Sequence, residues 1–430
     1  MTNPQAEELN KTIEENNPVI LELLSEKGKA IFFPKKGILS QSADAKGKNI
    51  NATIGIALEE DSTPMRLKSI ADNIPLNPKD AFPYAPSFGK PELREEWKKL
   101  ILKKNPSLAG KEISLPIVTN ALTHGLSILG YLFINPGEKI ISPDLYWGNY
   151  NLMLKNAYNA EFTTFETFKD NNFNTEGFKK TLSEGTGKII ILLNFPNNPS
   201  GYTLTEEEAN SIVQSIKESA ESGNKLLVLI DDAYFGLVYK EGIAKESIFA
   251  QLADIHENIL AVKVDGATKE DYVWGLRVGF LTFGIKNSKK ETYAALEAKA
   301  SGAIRGNISN VPHLSQSLVL KAFTSPSYQE EKKEKYNLLK KRFETVEKTL
   351  TEHKEYSDYF EALPFNSGYF MCIKLKTLDG EKVRQTLLEK YSTGVIALGN
   401  LLRIAFSSTP TDKIEELFRN IYGACKDLSN

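Results

Sequence analysis

The chain has only two cysteines, Cys372 and Cys425, among 430 residues. That is too few for a disulfide framework or a zinc cluster, and it fits a reducing compartment. Net charge is almost absent, with 53 Lys and Arg against 55 Asp and Glu, leaving −2. The basic footprint of a nucleic-acid binder is therefore missing. No apolar run approaches the ~20 residues of a membrane span. The opening residues, MTNPQAEELNKTIEENN, have neither the basic start nor the apolar segment of a signal peptide. Internal repeats and low-complexity linkers do not occur, and neither do the P-loop, nucleophile-elbow or dinucleotide glycine patterns. The expectation is a soluble cytoplasmic protein with no nucleic-acid or membrane partner.

What remains is an ordinary globular composition, 41% hydrophobic and 10% aromatic, enough for a sizeable core. The length allows two or three domains, or a large and a small one sharing a site. Residues 5–27 have helical character, 51–57 read as strand or loop, and 90–104 form a charged amphipathic helix whose start Gly89 and Pro91 signal. Strand texture follows at 116–119, 139–143, 161–166, 188–194, 225–230, 259–264 and 278–283. It alternates with helix texture at 123–134, 149–157, 205–222 and 286–303. Such alternation predicts an α/β domain with a mostly parallel sheet covered by helices, its sites gathered at the strand C-terminal ends. After Asn310 the texture changes. A charged helix over 325–353, about 40 Å long, precedes strands at 360–364, 369–375 and 401–407 and helices at 380–391 and 412–428, a smaller α+β domain.

The chemistry concentrates in residues 264–279, VDGATKEDYVWGLRVG. Lys269 follows a buried-strand pattern on a turn of small residues, and Arg277 comes eight residues later between Gly275 and Gly279. Either residue alone is most often a solvated surface group. Together they suit a cofactor with an aldehyde at one end and a phosphate at the other, as in pyridoxal 5′-phosphate. A lysine forms a Schiff base when desolvation or a cationic neighbour deprotonates it, and the arginine fork matches a phosphate. Upstream, NFPNNPSG (194–201) ends a strand in a turn, and LVLIDDAYFG carries two acids at a strand end, where a buried carboxylate demands a partner. A protonated pyridine nitrogen is such a partner.

This order of motifs, from about residue 51 to 408, resembles the fold-type-I, pyridoxal-phosphate-dependent aminotransferases of class I/II, above all their aspartate and aromatic branch. The resemblance implies that Lys269 carries the cofactor as an imine, with Thr268 beside it, and that Arg277 binds its phosphate. It assigns Asp231 to the ring nitrogen, leaving Asp232 solvated, and gives Asn198 and Tyr234 to the phenolic oxygen. The backbone at Ala121, Leu122 and Thr123 becomes the phosphate cup, and Trp147 stacks on the ring. Arg403, inside the apolar stretch LLRIAFS, would clamp the substrate carboxylate, with Asn198 and Trp147 also near the substrate and Ile54 and Gly55 covering it.

Tyr84 matches a tyrosine that reaches the phosphate from a neighbouring subunit, which implies a homodimer. Arg305 matches an arginine that crosses over to hold a distal carboxylate, or else it is a simple cation at a helix C-terminus. Three positions depart from the family pattern: Gly266 where the aspartate branch often has serine, Tyr272 where a small residue is usual, and Ala121 where glycine is common. The implied architecture is an N-terminal arm with part of the small domain (1–56), a large cofactor-binding domain (57–322) and a small C-terminal domain (323–430).

The implied activity is ping-pong transfer of an amino group from an amino acid, aspartate, glutamate or aromatic, to a 2-oxo acid. Lys269, Asp231 and Arg277 would equally serve a β-lyase, a decarboxylase or a cyclopropane-carboxylate synthase. A transcription regulator on the same scaffold would need a basic module that the acidic N-terminal arm does not offer, and a vestigial site is at odds with the retained Lys269.

Overall fold

The computed structural model describes residues 3–16, 18–32 and 37–429. In chain order the strands are β1 (Ile50–Asn51), β2 (Ile117–Thr119), β3 (Lys139–Pro143), β4 (Glu161–Phe165), β5 (Phe168–Lys169), β6 (Asn172–Phe173), β7 (Lys188–Asn194), β8 (Lys225–Asp231), β9 (Ile259–Asp265) and β10 (Gly279–Gly284). They continue with β11 (Phe360–Ala362), β12 (Phe370–Leu375), β13 (Thr393–Gly394), β14 (Ile396–Leu398) and β15 (Leu401–Ala405). A seven-stranded sheet has the order β2-β10-β9-β8-β7-β3-β4, and β10 alone runs against its neighbours. Its central strands read KIIILLN and KLLVLID and are buried on both faces. That is the continuous apolar texture of a parallel sheet covered by helices, rather than the alternation of a half-exposed one.

One covering helix, Glu206–Glu221, begins in a capping box between Thr205 and Glu208, which satisfies backbone donors that the first turn leaves free. Another, Ala121–Phe133, starts where β2 ends. Because β2, β7, β8 and β9 are co-directional, the segments after Thr119, Asn194, Asp231 and Asp265 emerge along one edge of the sheet. That edge carries the site.

An antiparallel sheet, β11-β12-β15-β14, forms the C-terminal part. The 25-residue helix Tyr328–Glu352 leads into it. On this helix the fully buried Arg342 donates to the carbonyls of Leu58 (2.7 Å) and Ser407 (2.5 Å), so one guanidinium ties two distant segments to the helix. The N-terminal region is drawn to the C-terminal one as well. β1 pairs in parallel with β13, and Gln41 bridges both backbone groups of Ala397 (2.6 and 3.1 Å) from the helix Ile38–Asp44.

Two elements differ from the sequence expectation. The helical character expected of residues 5–27 is divided among three helices, Pro4–Asn16, Pro18–Leu23 and Glu26–Ala30. Pro18 cannot continue the preceding ladder, and the Ser25 side chain caps the last helix by accepting from the Gly28 amide. Residues 149–157 wind as a wider π-helix over Asn151–Asn156. The helix His313–Phe323 had no clear signal in the sequence.

Candidate active site

Along the strand edge lies a cavity of about 350 Å³. Eleven of the residues singled out from the sequence line it: Gly55, Ala121, Leu122, Thr123, Trp147, Asn198, Asp231, Tyr234, Thr268, Lys269 and Arg277, and Arg403 joins them from β15. Tyr84 and Arg305 do not. Tyr84 is 88% exposed on its loop, and Arg305 is exposed in the last turn of Lys290–Ile308, where it donates to Ser309 Oγ (3.2 Å).

Lys269 sits in a single helical turn, Ala267–Glu270, directly after β9. Its Nζ lies 3.4 Å from the Gly55 carbonyl and 5.2 Å from the Tyr234 ring centroid. Burial, then the charges of Arg277 and Arg403, pull its amine from 10.5 down to about 8, against a smaller opposing pull from Asp231. An amine of this kind is readily deprotonated and so nucleophilic near neutral pH.

Asp231 ends β8 and is buried. Burial pushes its carboxyl up to about 6, while Tyr150 Oη, donating to Oδ2 (2.5 Å), and the Ala233 amide, donating to Oδ1 (3.1 Å), favour the charged form. Tyr150 was not anticipated, although it lies three residues after Trp147 in the same loop motif. Their rings meet edge to face at 5.6 Å. Asp232 is not solvated as expected. It is buried on the opposite side of the strand, in contact with Lys263 Nζ and accepting from Ser247 Oγ (2.6 Å). Lys263 also lies 3.4 Å from Asp265, whose carboxylate accepts from Trp97 Nε1 (2.9 Å). Successive residues point to opposite faces of a strand, so one acid faces the cavity and the next finds a cation in the core.

The two arginines are free of acids. Among the described residues neither Arg277 nor Arg403 has a carboxylate partner. Arg403 is 3% exposed, packs 4.3 Å over the Phe370 ring, and reaches only Asn198 Oδ1 (3.4 Å) and the Thr53 carbonyl (3.3 Å), with its Nε buried and unpaired. A buried guanidinium in that state has donor capacity that a carboxylate would satisfy. Asn198 is held in turn, its amide donating to Asn194 Oδ1 (2.8 Å).

The backbone explains the departures from the family pattern. Ala121, Tyr272 and Arg277 all lie in the left-handed region, with φ of 63°, 57° and 55°, a cost that tertiary contacts must offset. Glycine would suit position 121 better. A Cβ on Gly266 would stand 2.7 Å from Gly279 Cα and from the Val278 carbonyl, and one on Gly279 would stand 2.7 Å from the Ala121 carbonyl carbon. Serine therefore cannot occupy position 266 without moving β10. The two glycines let β9, β10 and the start of the Ala121–Phe133 helix approach closely, which turns that helix N-terminus, a ready anion site, toward the cavity. Two lining residues, Ile38 and Ser42, come from the N-terminal helix and had no motif to announce them.

An activated lysine, an acid-free arginine, a helix N-terminus and a buried carboxylate with no salt-bridge partner among the described residues line one cavity, and they fit a phosphorylated aldehyde with a basic ring. The family model of class I and II aminotransferases matches residues 50–421, and the chain belongs to this family. It is 26% identical over 359 residues to the probable aspartate/prephenate aminotransferase of Aquifex aeolicus, covering 80% of this chain and 84% of that one. With the aspartate aminotransferase of Bacillus subtilis it shares 28% over 199 residues, 46% of this chain and 47% of the other, about half of each. An aminotransferase structure from Anaerococcus prevotii shares the fold at a TM-score of 0.83 and 24% identity, covering 94% of this chain and 99% of that one. The cofactor is pyridoxal 5′-phosphate.

Replacing Gly266 with serine should weaken cofactor retention by pushing β10 off the Ala121 turn. Cofactor released on dialysis of the variant and the parent at equal folded fraction is the measurement.

Proposed function

We propose that this aminotransferase moves the amino group of aspartate, glutamate or an aromatic amino acid to a 2-oxo acid, using the residues of this cavity in the roles their positions suggest. The observation that carries the reading is Arg403, buried without an anion and opening on the same cavity as Lys269. Bound there, pyridoxal phosphate supplies an aldehyde carbon that takes up the amino group and a ring that accepts electrons. Arg277, Thr268 and the backbone donors of Ala121, Leu122 and Thr123 hold its phosphate. Asp231, kept ionised by Tyr150, holds a proton on the ring nitrogen. Asn198 and Tyr234 would donate to the phenolic oxygen, and Trp147 would cover the ring.

In this reading Arg403 binds the substrate α-carboxylate with its fork and thereby presents the α-carbon to Lys269. Lys269 Nζ would take the proton from the α-carbon and deliver it to the carbon that brought the aldehyde, a task that wants an amine whose pKa lies near the working pH. Gly55, Ile38 and Ser42 line the cavity from the N-terminal region and would shield the bound substrate from water. Residues 57–322 serve as the cofactor-binding domain, and 323–430 with 1–56 as the small one. Tyr84 and Arg305, both outside the single-chain cavity, fit contributions to the site of a second copy in a homodimer, with Arg305 reaching a distal carboxylate. The relatives named for aspartate support an acidic donor. Reducing-compartment cysteine usage and the absence, among the described residues, of a helix able to cross a membrane support a cytoplasmic setting.

Converting Arg403 to alanine should lower kcat/KM for every amino acid by roughly 10²-fold or more, since it removes one partner of a desolvated charge pair, while cofactor content stays at the parent level. Equal kcat/KM would remove the carboxylate assignment. Arg305→Ala should weaken dicarboxylates alone, as competition between glutamate and tyrosine would show.

The pH dependence has a definite sign. Only the neutral amine attacks an aldehyde, and the folded protein holds Lys269 at about 8 instead of 10.5. The rate at which cofactor-free protein captures pyridoxal phosphate should therefore rise with pH and level off above about 8. A rate still climbing toward 10.5 would show an unperturbed lysine.

A further inference from the structure

The turn that presents Lys269 cannot hold itself. It is one turn of helix, and isolated turns are unstable because nucleation fixes several residues for a single hydrogen bond. It is followed by Tyr272 in the left-handed region. Something outside the turn must fix it.

The two residues after Lys269 are acids, and both are gripped by lysines from remote parts of the chain. Glu270 lies 2.5 Å from Lys104, at the end of the helix Pro91–Lys104, and 2.9 Å from Lys332 on the long helix Tyr328–Glu352. Asp271 lies 3.0 Å from the same Lys332 and accepts from Tyr328 Oη (2.6 Å). Tyr328 and Lys332 are four residues apart and so share a helix face, which grips Asp271 at two points. Asp271 is fully buried, and its other oxygen has no partner. Gly236 makes room for the arrangement, because a Cβ there would stand 2.7 Å from Glu270 Oε1. On the other side the Lys269 carbonyl accepts from Tyr369 Oη (2.7 Å).

The cluster is well enclosed, with side-chain exposure of 12% for Glu270 and 16% for Lys332. Burial alone would raise the Glu270 carboxyl, yet Lys104 and Lys332 hold it down at about 2. Glu270 is therefore held as an anion. None of these side chains lines the cavity.

We propose that Lys332 and Lys104 are positioning residues for Lys269: they clamp Glu270 and Asp271 and so fix the direction in which the lysine enters the cavity. The proposal rests on the reading of Lys269 as the catalytic lysine. It gives the two lysines no contact with substrate or cofactor. Their effect travels through two residues of backbone, and a small misdirection of a reacting group is costly in rate.

The test compares Lys332→Met, Lys332→Arg and Lys269→Ala as cofactor-loaded protein. Thermal unfolding, visible circular dichroism of the bound cofactor, kcat and KM are measured for each. Lys332→Met should keep its cofactor, lose roughly ten- to a hundredfold in kcat with KM near the parent value, and show weakened visible dichroism. Lys332→Arg should regain most of both.

Parental kcat and dichroism in Lys332→Met would overturn the proposal, as would an arginine variant impaired as much as the methionine one. If Lys332→Met does not fold, Tyr328→Phe removes a single hydroxyl from the clamp. It should lower kcat less steeply at parental KM, and a parental kcat there overturns the proposal too. Lys269→Ala separates the two readings. If it retains turnover and the parental visible band, the catalytic assignment falls and the clamp with it. If it loses both while Lys332→Met matches the parent, only the clamp falls.

Discussion

Three cations, Lys269, Arg277 and Arg403, share one cavity with a single carboxylate, Asp231. Everything around the site follows from that imbalance. The arginines depress the amine of the lysine, as burial already does, and their own charges call for anions that the protein withholds. In the proposed function a phosphate and a substrate carboxylate answer that call. The same withholding makes the cavity costly to fold, and the cost is spread over structure outside it. Asn198, the Thr53 carbonyl and the Phe370 ring take up part of the burden at Arg403.

Shape does the rest. The parallel strands bring Asn194, Asp231 and the Lys269 turn to one edge, and β10, running the other way, returns the chain beneath the Ala121 turn. Glycines at 266 and 279 allow that return at a distance no side chain permits. Behind the site the four acids that do not face the cavity share three lysines: Asp232 and Asp265 meet Lys263, Glu270 meets Lys104 and Lys332, and Asp271 meets Lys332. The cavity holds an excess of cations, while in the layer beneath it every one of these acids has a lysine partner.

The strands of the large sheet were legible because apolar runs bounded by turn residues have few other readings, and β3 and β7 fall where the sequence places them. The cavity residues were legible through motif order, which sets Lys269, Asp231 and Asn198 at the ends of strands whose pairing brings them together. What stayed hidden depends on partners far away in the chain. Asp232 looked solvated because nothing in LVLIDDAYFG reveals that Lys263 stands one strand over. Tyr150 carried no signal of its own, since its bond to Asp231 spans 81 residues. Ile38 and Ser42 reach the cavity from a helix that Gln41 anchors to β14, a contact made across 356 residues. Burial of a charge can be suspected from a sequence, but the identity of its partner belongs to the tertiary fold.

The central claim is that Lys269 is the residue that takes the cofactor. Reduction of the loaded protein with borohydride, followed by digestion and mass spectrometry, fixes the pyridoxyl group to whichever lysine holds it. The account predicts one modified peptide, containing Lys269. Modification at Lys263, Lys104 or a surface lysine instead, or no stable adduct in protein that shows the visible band, would contradict it.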